Sequence, residues 1–228
     1  MQRKIITTAD GSKTIHLPDW NEQYHSKHGA VQEALHVFIK SGLHHICYSE
    51  RSEESLKDLS VLEIGFGSGL NAYLTLLEAP KIGLEINYVG IEAYPVSEQE
   101  ITLLEYPKAI INQEQDELFD ALHSVSWESE HQLTDKFVIN KRKQFFKDIE
   151  DIDKYDLIYF DAFGARVQPD LWTEDIFRIM YKALKLNGVL VTYSAKGSVR
   201  RAMQAVGFTV ERLPGPPGKR EMLRATKY

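Results

Sequence analysis

Cysteine is almost missing from this sequence: Cys47 is the single one in 228 residues. One thiol forms no intrachain disulfide and no cysteine-based metal cluster, and the scarcity suits a reducing compartment. Long apolar runs are missing too. No stretch approaches the roughly 18 apolar residues that cross a bilayer, and the opening MQRKIITTADG lacks the apolar segment of a signal peptide. A bacterial-type cytoplasmic protein without a membrane partner is expected. Basic residues are in deficit, 27 Lys and Arg against 33 Asp and Glu, for a net charge of −6. Over the whole chain that speaks against DNA or any other nucleic acid. The deficit is uneven, however. From residue 196 onward eight Lys and Arg meet only Glu211 and Glu221, so this segment carries +6 and the first 195 residues −12. A polyanionic substrate would therefore dock on the C-terminal part. Low-complexity tracts and internal repeats are absent. Hydrophobic residues at 43% and charged residues at 26% exclude disorder, collagen and a disulfide scaffold. The length suits one sizeable domain, with or without a small appendage.

Asp10-Gly11 between β-prone stretches predicts a hairpin over 4–17. Ala30, Ala34, Leu35, Phe38 and Ile39 at helical spacing predict a helix over 29–40. The charged stretch 49–58 reads as a surface loop or helix. Beyond it short apolar runs alternate with amphipathic ones. Strands are expected at 59–64, 85–91, 136–140, 157–160 and 189–194. Helices are expected at 70–77, 96–104, 172–184 and 199–206, with Asn187-Gly188 as a helix stop. The pair 208–213 and 221–226, joined by Pro214-Gly215-Pro216-Pro217-Gly218, reads as a closing antiparallel hairpin. Residues 123–131 are the least patterned and are expected to be a loop or insertion. Strand–helix alternation implies an α/β fold with a parallel sheet and right-handed crossovers. The expected division is an N-terminal extension, 1–57, packed on a core domain, 58–228.

The strongest local signal is Val61-Leu62-Glu63-Ile64-Gly65-Phe66-Gly67-Ser68-Gly69-Leu70-Asn71, a strand, a glycine turn and a helix in that order. Glycines let a ligand approach the backbone, and a helix N-terminus offers free N–H groups. The spacing is G-x-G-x-G rather than the dinucleotide G-x-G-x-x-G, because Leu70 stands where the third Rossmann glycine would. Glu63 before the loop is a poor neighbour for a pyrophosphate and a good one for a cation. S-adenosylmethionine carries a sulfonium and an ammonium, so electrostatics favour it over NAD. Glu92, ending the next strand, can accept hydrogen bonds from both ribose hydroxyls of either cofactor.

Tyr159-Phe160-Asp161-Ala162-Phe163-Gly164 follows a continuous apolar run, so Asp161 is expected at the carboxyl end of a buried strand, facing the ligand crevice. From Asp161 the chain reads DAFGARVQPDLW, which resembles the D-[GA]-F-…-N-P-[DE]-[ML]-W signature of the MnmC-type tRNA methyltransferases. Thr192-Tyr193-Ser194-Ala195-Lys196-Gly197-Ser198-Val199-Arg200-Arg201 resembles that family's T-[FY]-S-A-x-G-x-V-R-R. Val206-Gly207-Phe208, Gly218-Lys219-Arg220-Glu221-Met222, Tyr24-His25-Ser26 and Gly29-Ala30-Val31-Gln32-Glu33 resemble further family segments in order.

The resemblance implies a Rossmann-like S-adenosylmethionine-dependent methyltransferase with a mostly parallel seven-stranded sheet. It also implies methylation of 5-aminomethyl-2-thiouridine at the tRNA wobble position. The oxidase half of bifunctional members is not expected here, since nothing follows Tyr228. Where many members carry a G-D pair for adenine, this chain reads Asn140-Lys141-Arg142-Lys143, and no residue is assigned to adenine. Tyr24, Glu63, Gly65, Gly67, Gly69, Asn71 and Glu92 are the expected cofactor contacts.

Methylating an amine requires its neutral form, held about 3 Å from the methyl carbon. Asp161 is the expected catalytic residue, orienting the amine through a hydrogen bond, with Phe163 beside it. Phe163, Tyr193 and Trp172 are the candidates for stacking on a flipped uridine. Arg200, Arg201, Lys219 and Arg220 are the candidates for phosphate contacts. His25-x-x-His28 with Glu33 and His36 has metal-like spacing, but the reaction needs no metal and none is expected. Cys47 reads as packing. Other readings stay open: a methyltransferase for a small-molecule or protein amine, a silent cofactor-binding module, and, weakest, a dehydrogenase.

Overall fold

The computed structural model describes residues 2–48, 58–113 and 116–228, so the charged stretch 49–58 lies, Asp58 apart, outside the described residues. Its elements run β1 (Lys4–Thr7), β2 (Lys13–Leu17), β3 (Glu22–Gln23), α1 (Ala30–Ala34), a π-helix (Leu35–His44), α2 (His45–Tyr48), β4 (Asp58–Ile64), α3 (Leu70–Ile82), β5 (Glu85–Ile91), α4 (Glu98–Leu104), α5 (Tyr106–Ile111) and α6 (Glu117–Ser124). There follow β6 (Glu130–Thr134), β7 (Phe137–Arg142), β8 (Tyr155–Phe160), α7 (Glu174–Ala183), β9 (Leu184–Thr192), α8 (Gly197–Ala205), β10 (Thr209–Pro214) and β11 (Glu221–Thr226).

The first three strands form a small antiparallel sheet. The rest form an eight-stranded sheet in the order β10-β11-β9-β8-β4-β5-β7-β6. Its centre is parallel: β4 pairs with β5 and β8, β5 with β7, and β8 with β9. Every residue of β8 is buried, as its unbroken apolar run requires. The period-2 alternation assigns faces. Leu59 and Val61 join one core with Phe38 of the π-helix and Tyr73 of α3, whereas Leu62 and Ile64 join the other with Phe177 of α7 and Met203 of α8.

Several expectations change. The sheet has eight strands rather than seven, because β6 adds an antiparallel edge to β7. Residues 123–131 are not one loop: His123 closes α6, and Glu130 opens β6. Their polar, half-exposed faces hide the periodicity. The helix predicted over 29–40 runs on to Tyr48 through the π segment. Asn187-Gly188 stops no helix. α7 ends at Ala183, and Asn187 takes a positive φ of 62° inside β9. Trp172 precedes α7 in a short 3-10 turn and is 5% exposed. No helix among the described residues is long and apolar enough to cross a membrane.

Candidate active site

Strand register builds the site. Ile64 pairs with Ile91 on one side and Phe160 on the other, so Gly65, Glu92 and Asp161 leave the sheet side by side. Backbone bonds hold the row: Asp161 N–H donates to Ile64 O at 2.9 Å, Gly65 N–H to Ile91 O at 3.1 Å and Glu92 N–H to Arg142 O at 3.0 Å. Between β4 and β8 the strand order reverses, the place where open α/β sheets bind ligands.

A cavity of about 740 Å³ opens over this row. Gly65, Gly67, Glu92, Asp161, Phe163 and Tyr24 all line it. The glycine loop is required by geometry: Gly65 has φ +89°, and a Cβ there would lie 2.8 Å from Asp161 O. Glu92 closes the loop from the far side. One oxygen accepts from Gly67 N at 3.0 Å, the other from Tyr94 N at 2.9 Å. Each oxygen keeps a second lone pair for a ligand hydroxyl.

Phe163 is pinned edge-on by Trp20 at 5.7 Å and Tyr24 at 4.9 Å. Burial pushes the Tyr24 hydroxyl up to about 12. The small N-terminal sheet forms a roof anchored on both flanks. Arg3 donates to Tyr94 O at 3.0 Å and Glu100 Oε2 at 3.1 Å. Arg166 donates to Trp20 O, Asn21 O and Glu22 Oε2 at 2.9–3.1 Å.

Not every expected residue reaches the cavity. Glu63 lies behind the loop, fully buried. The strand alternation that points Leu59 and Val61 into the α3-side core points Glu63 there as well. Its oxygens accept from Asn71 Nδ2 at 2.9 Å and Tyr88 OH at 2.8 Å, and burial pushes its carboxyl well above the ordinary range. The cation-attracting role expected of Glu63 thus falls to Glu92 and Asp161. Asn71 also lies beneath, its amide bridging Glu63 and Asp161 Oδ2 at 2.9 Å. Gly69 packs against His123 and Phe66. Trp172 is core, its Nε1 donating to Phe163 O at 2.7 Å, so it stacks on no substrate base. Tyr193 stands behind the wall with its hydroxyl on Ala162 O at 2.8 Å. Arg200, Arg201, Lys219 and Arg220 line no part of the cavity. Arg201 and Arg220 are exposed, whereas Lys219 turns inward onto Glu33 at 2.5 Å rather than toward phosphate.

Sequence reasoning missed Arg3, Trp20, Tyr94, Phe145, Phe146 and Lys147, which also line the cavity. The rule that ligands gather at strand carboxyl ends would have found Tyr94 after β5 and Phe145 after β7. Nothing in the local pattern marks Arg3 or Trp20, which arrive from the roof. His25 also lines the cavity. Burial pushes its imidazole down to about 4, and its Nδ1 faces Thr14 Oγ1 at 3.4 Å.

A family model for S-adenosyl-L-methionine-dependent methyltransferases matches residues 107–228, more than half of the chain. The chain belongs to this methyltransferase family. The methyltransferase is 27% identical over 234 residues to the tRNA 5-methylaminomethyl-2-thiouridine biosynthesis bifunctional protein MnmC of Hydrogenovibrio crunogenus, covering 96% of this chain and 33% of that protein. The chain thus spans about a third of the length of the curated MnmC relatives it matches. Among solved structures, MnmC2 from Aquifex aeolicus superposes with a TM-score of 0.74 at 24% identity, over 98% of this chain and 70% of that one. Spermidine synthase from Thermotoga maritima does so with a TM-score of 0.53 at 14% identity, over 100% of this chain and 72% of that one. These two likenesses are ones of fold.

The methyltransferase's residues fit S-adenosylmethionine. The cavity lies in the 300–1,000 Å³ range of ligand sites, and the acids Glu92, Asp161 and Asp170 on its wall outnumber the cations Arg3 and Lys147, which suits a cationic ligand. Glu92→Ala is expected to weaken cofactor binding about 10- to 100-fold, since hydrogen bonds to a charged group are worth roughly 1.5–3 kcal/mol. Calorimetric titration with S-adenosylmethionine checks this.

Proposed function

We propose that this methyltransferase N-methylates an aminomethyl group on tRNA, converting 5-aminomethyl-2-thiouridine at the wobble position to its methylaminomethyl form. The observation that carries the reading is the placement of Asp161 and Phe163 on the wall of the cofactor cavity, beside the glycine loop. The MnmC relatives, whose printed name is tRNA 5-methylaminomethyl-2-thiouridine biosynthesis, supply the substrate class. When bound, S-adenosylmethionine supplies an electrophilic methyl on a positively charged sulfur.

This chain's own residues do the rest. Asp161 accepts a hydrogen bond from the acceptor nitrogen and takes up the proton that the amine sheds on methylation, later passing it to water. Asn71 fixes the carboxylate from beneath through its 2.9 Å bond. Phe163, braced by Trp20 and Tyr24, offers a ring face or edge for the uracil. The anchored roof limits water in the pocket. Exposed Arg201 and Arg220, with the wider C-terminal excess of positive charge, suit the phosphates of an RNA held outside the cavity.

The deciding measurement is nucleoside analysis of tRNA from a strain lacking this chain. Accumulated aminomethyl-thiouridine should be cleared by adding the protein with S-adenosylmethionine, and the clearance should fall steeply with added salt. Unchanged tRNA nucleosides, with methylation of a free or protein-borne amine instead, would replace this reading by an amine methyltransferase of another substrate class.

A further inference from the structure

The ion pair between Glu33 and Lys219 joins residues 186 positions apart and plays no part in holding the cofactor. Glu33, on α1, is buried. Its Oε2 accepts from Ser26 N at 2.7 Å, and its Oε1 receives the Lys219 ammonium at 2.5 Å. That ammonium sits 3.8 Å from the centroid of the Tyr193 ring. The Tyr193 hydroxyl donates to Ala162 O at 2.8 Å, the carbonyl immediately after Asp161. A line of contacts therefore runs from α1, through the β10–β11 loop and the end of β9, to the acid on the cavity wall. Stability alone does not explain it. A buried ion pair loses solvation on both charges, and apolar residues of like volume are often as stabilising or more so.

The charged and titratable groups facing this spot come from every element around it. They are Asp10 and Glu22 from the N-terminal sheet, His25 from the loop after β3, Glu33 from α1, Glu63 from β4, and Tyr193 from the end of β9. Lys219 is the cation among them. Burial pushes the Asp161 carboxyl well above the ordinary carboxylate range and the Glu33 charge pushes it further, while the Asn71 hydrogen bond and the Lys219 charge pull it back.

We propose that Glu33 and Lys219 are a positioning pair for the acceptor side of the site: the Lys219 ammonium, fixed over Tyr193 by Glu33, keeps Asp161 ionised beside the buried carboxyls of Glu33 and Glu63. An ionised Asp161 can accept the amine's hydrogen bond and proton; a protonated one cannot. The catalytic part of this rests on the reading of Asp161 given above.

The test is a carbon-13 NMR titration of the aspartate-labelled whole chain, with the Asp161 carboxyl identified by its loss in Asp161→Asn. In Lys219→Met its midpoint moves to higher pH, with the ionised-to-protonated ratio at a given pH falling about tenfold. In Glu33→Gln it moves to lower pH, and Lys219→Arg restores the original midpoint. Turnover of Lys219→Met falls by a similar factor at neutral pH and recovers as pH rises, with KM for S-adenosylmethionine unchanged. A pair that merely staples the fold leaves the Asp161 midpoint where it was. An unmoved midpoint in the folded variants, or movement in the same direction in both, overturns the proposal. If Lys219→Met does not fold, Glu33→Gln decides alone: a downward move supports the proposal and anything else ends it. If the midpoints move in opposite directions as expected but no amine acceptor is methylated, the control of Asp161 charge stands and the amine reading falls.

Discussion

Replacing Asp161 by asparagine is expected to slow methyl transfer about 10²- to 10⁴-fold, the usual range for a positioned proton acceptor, with S-adenosylmethionine affinity nearly unchanged. Asparagine keeps the shape and can still accept the Asn71 hydrogen bond, but it cannot take the amine's proton. The thermal midpoint should hold or rise at neutral and alkaline pH. The sign follows from the raised carboxyl of Asp161. Between the ordinary carboxylate range and the raised folded-state value, the folded chain binds a proton that the unfolded chain does not, so stability falls as pH rises through that window. Asparagine removes that loss. Single-turnover methylation, cofactor calorimetry and thermal melts at two pH values check the three parts together. Full turnover with cofactor binding intact would remove Asp161 from the mechanism.

The second large effect concerns the glycine loop. Gly65→Ala places a non-glycine residue at φ +89° and a Cβ 2.8 Å from Asp161 O. The backbone strain alone costs roughly 1–3 kcal/mol. The opposing atom is main chain, held by the Asp161 N–H bond to Ile64 O, so it cannot yield without disturbing the catalytic row. A thermal midpoint lower by several degrees is expected, together with at least about tenfold weaker cofactor binding and a comparable loss of turnover. Gly83→Ala is the control. Gly83 also has a positive φ, +74°, but stands at the far end of α3 with nothing within 4 Å of its Cβ position. It should cost stability and leave cofactor affinity alone. Equal cofactor affinity in the two variants would mean that the loop tolerates a methyl group and that Gly65 serves only the turn.

Much of the centre was legible because each signal there is local. The all-apolar run of β8, the strand–glycine–helix order at Gly65 and the acid ending β5 each state their own position. Once the strands are known to be parallel neighbours, register alone brings Gly65, Glu92 and Asp161 together. The edge was less legible. α6 and β6 are half-exposed and polar, so burial writes little periodicity into them, and β6 owes its place to pairing with β7. Glu63 shows the same limit from the inside. Its position before the loop suggested a ligand contact, yet the alternation of its own strand turns it into the core, where Tyr88 and Asn71 satisfy it.

By itself the sequence determined the α/β class, the order of the core strands and the identity of the loop and acid that meet at their carboxyl ends, because backbone sterics and hydrophobic alternation act over a few residues. Only the tertiary structure decided that the N-terminal sheet roofs the cavity through Arg3 and Arg166, that Glu63 and Trp172 belong to the interior, and that Lys219 pairs with Glu33. Those outcomes depend on charges and rings far apart in the chain, whose meeting is set by how the layers pack and not by any spacing along it.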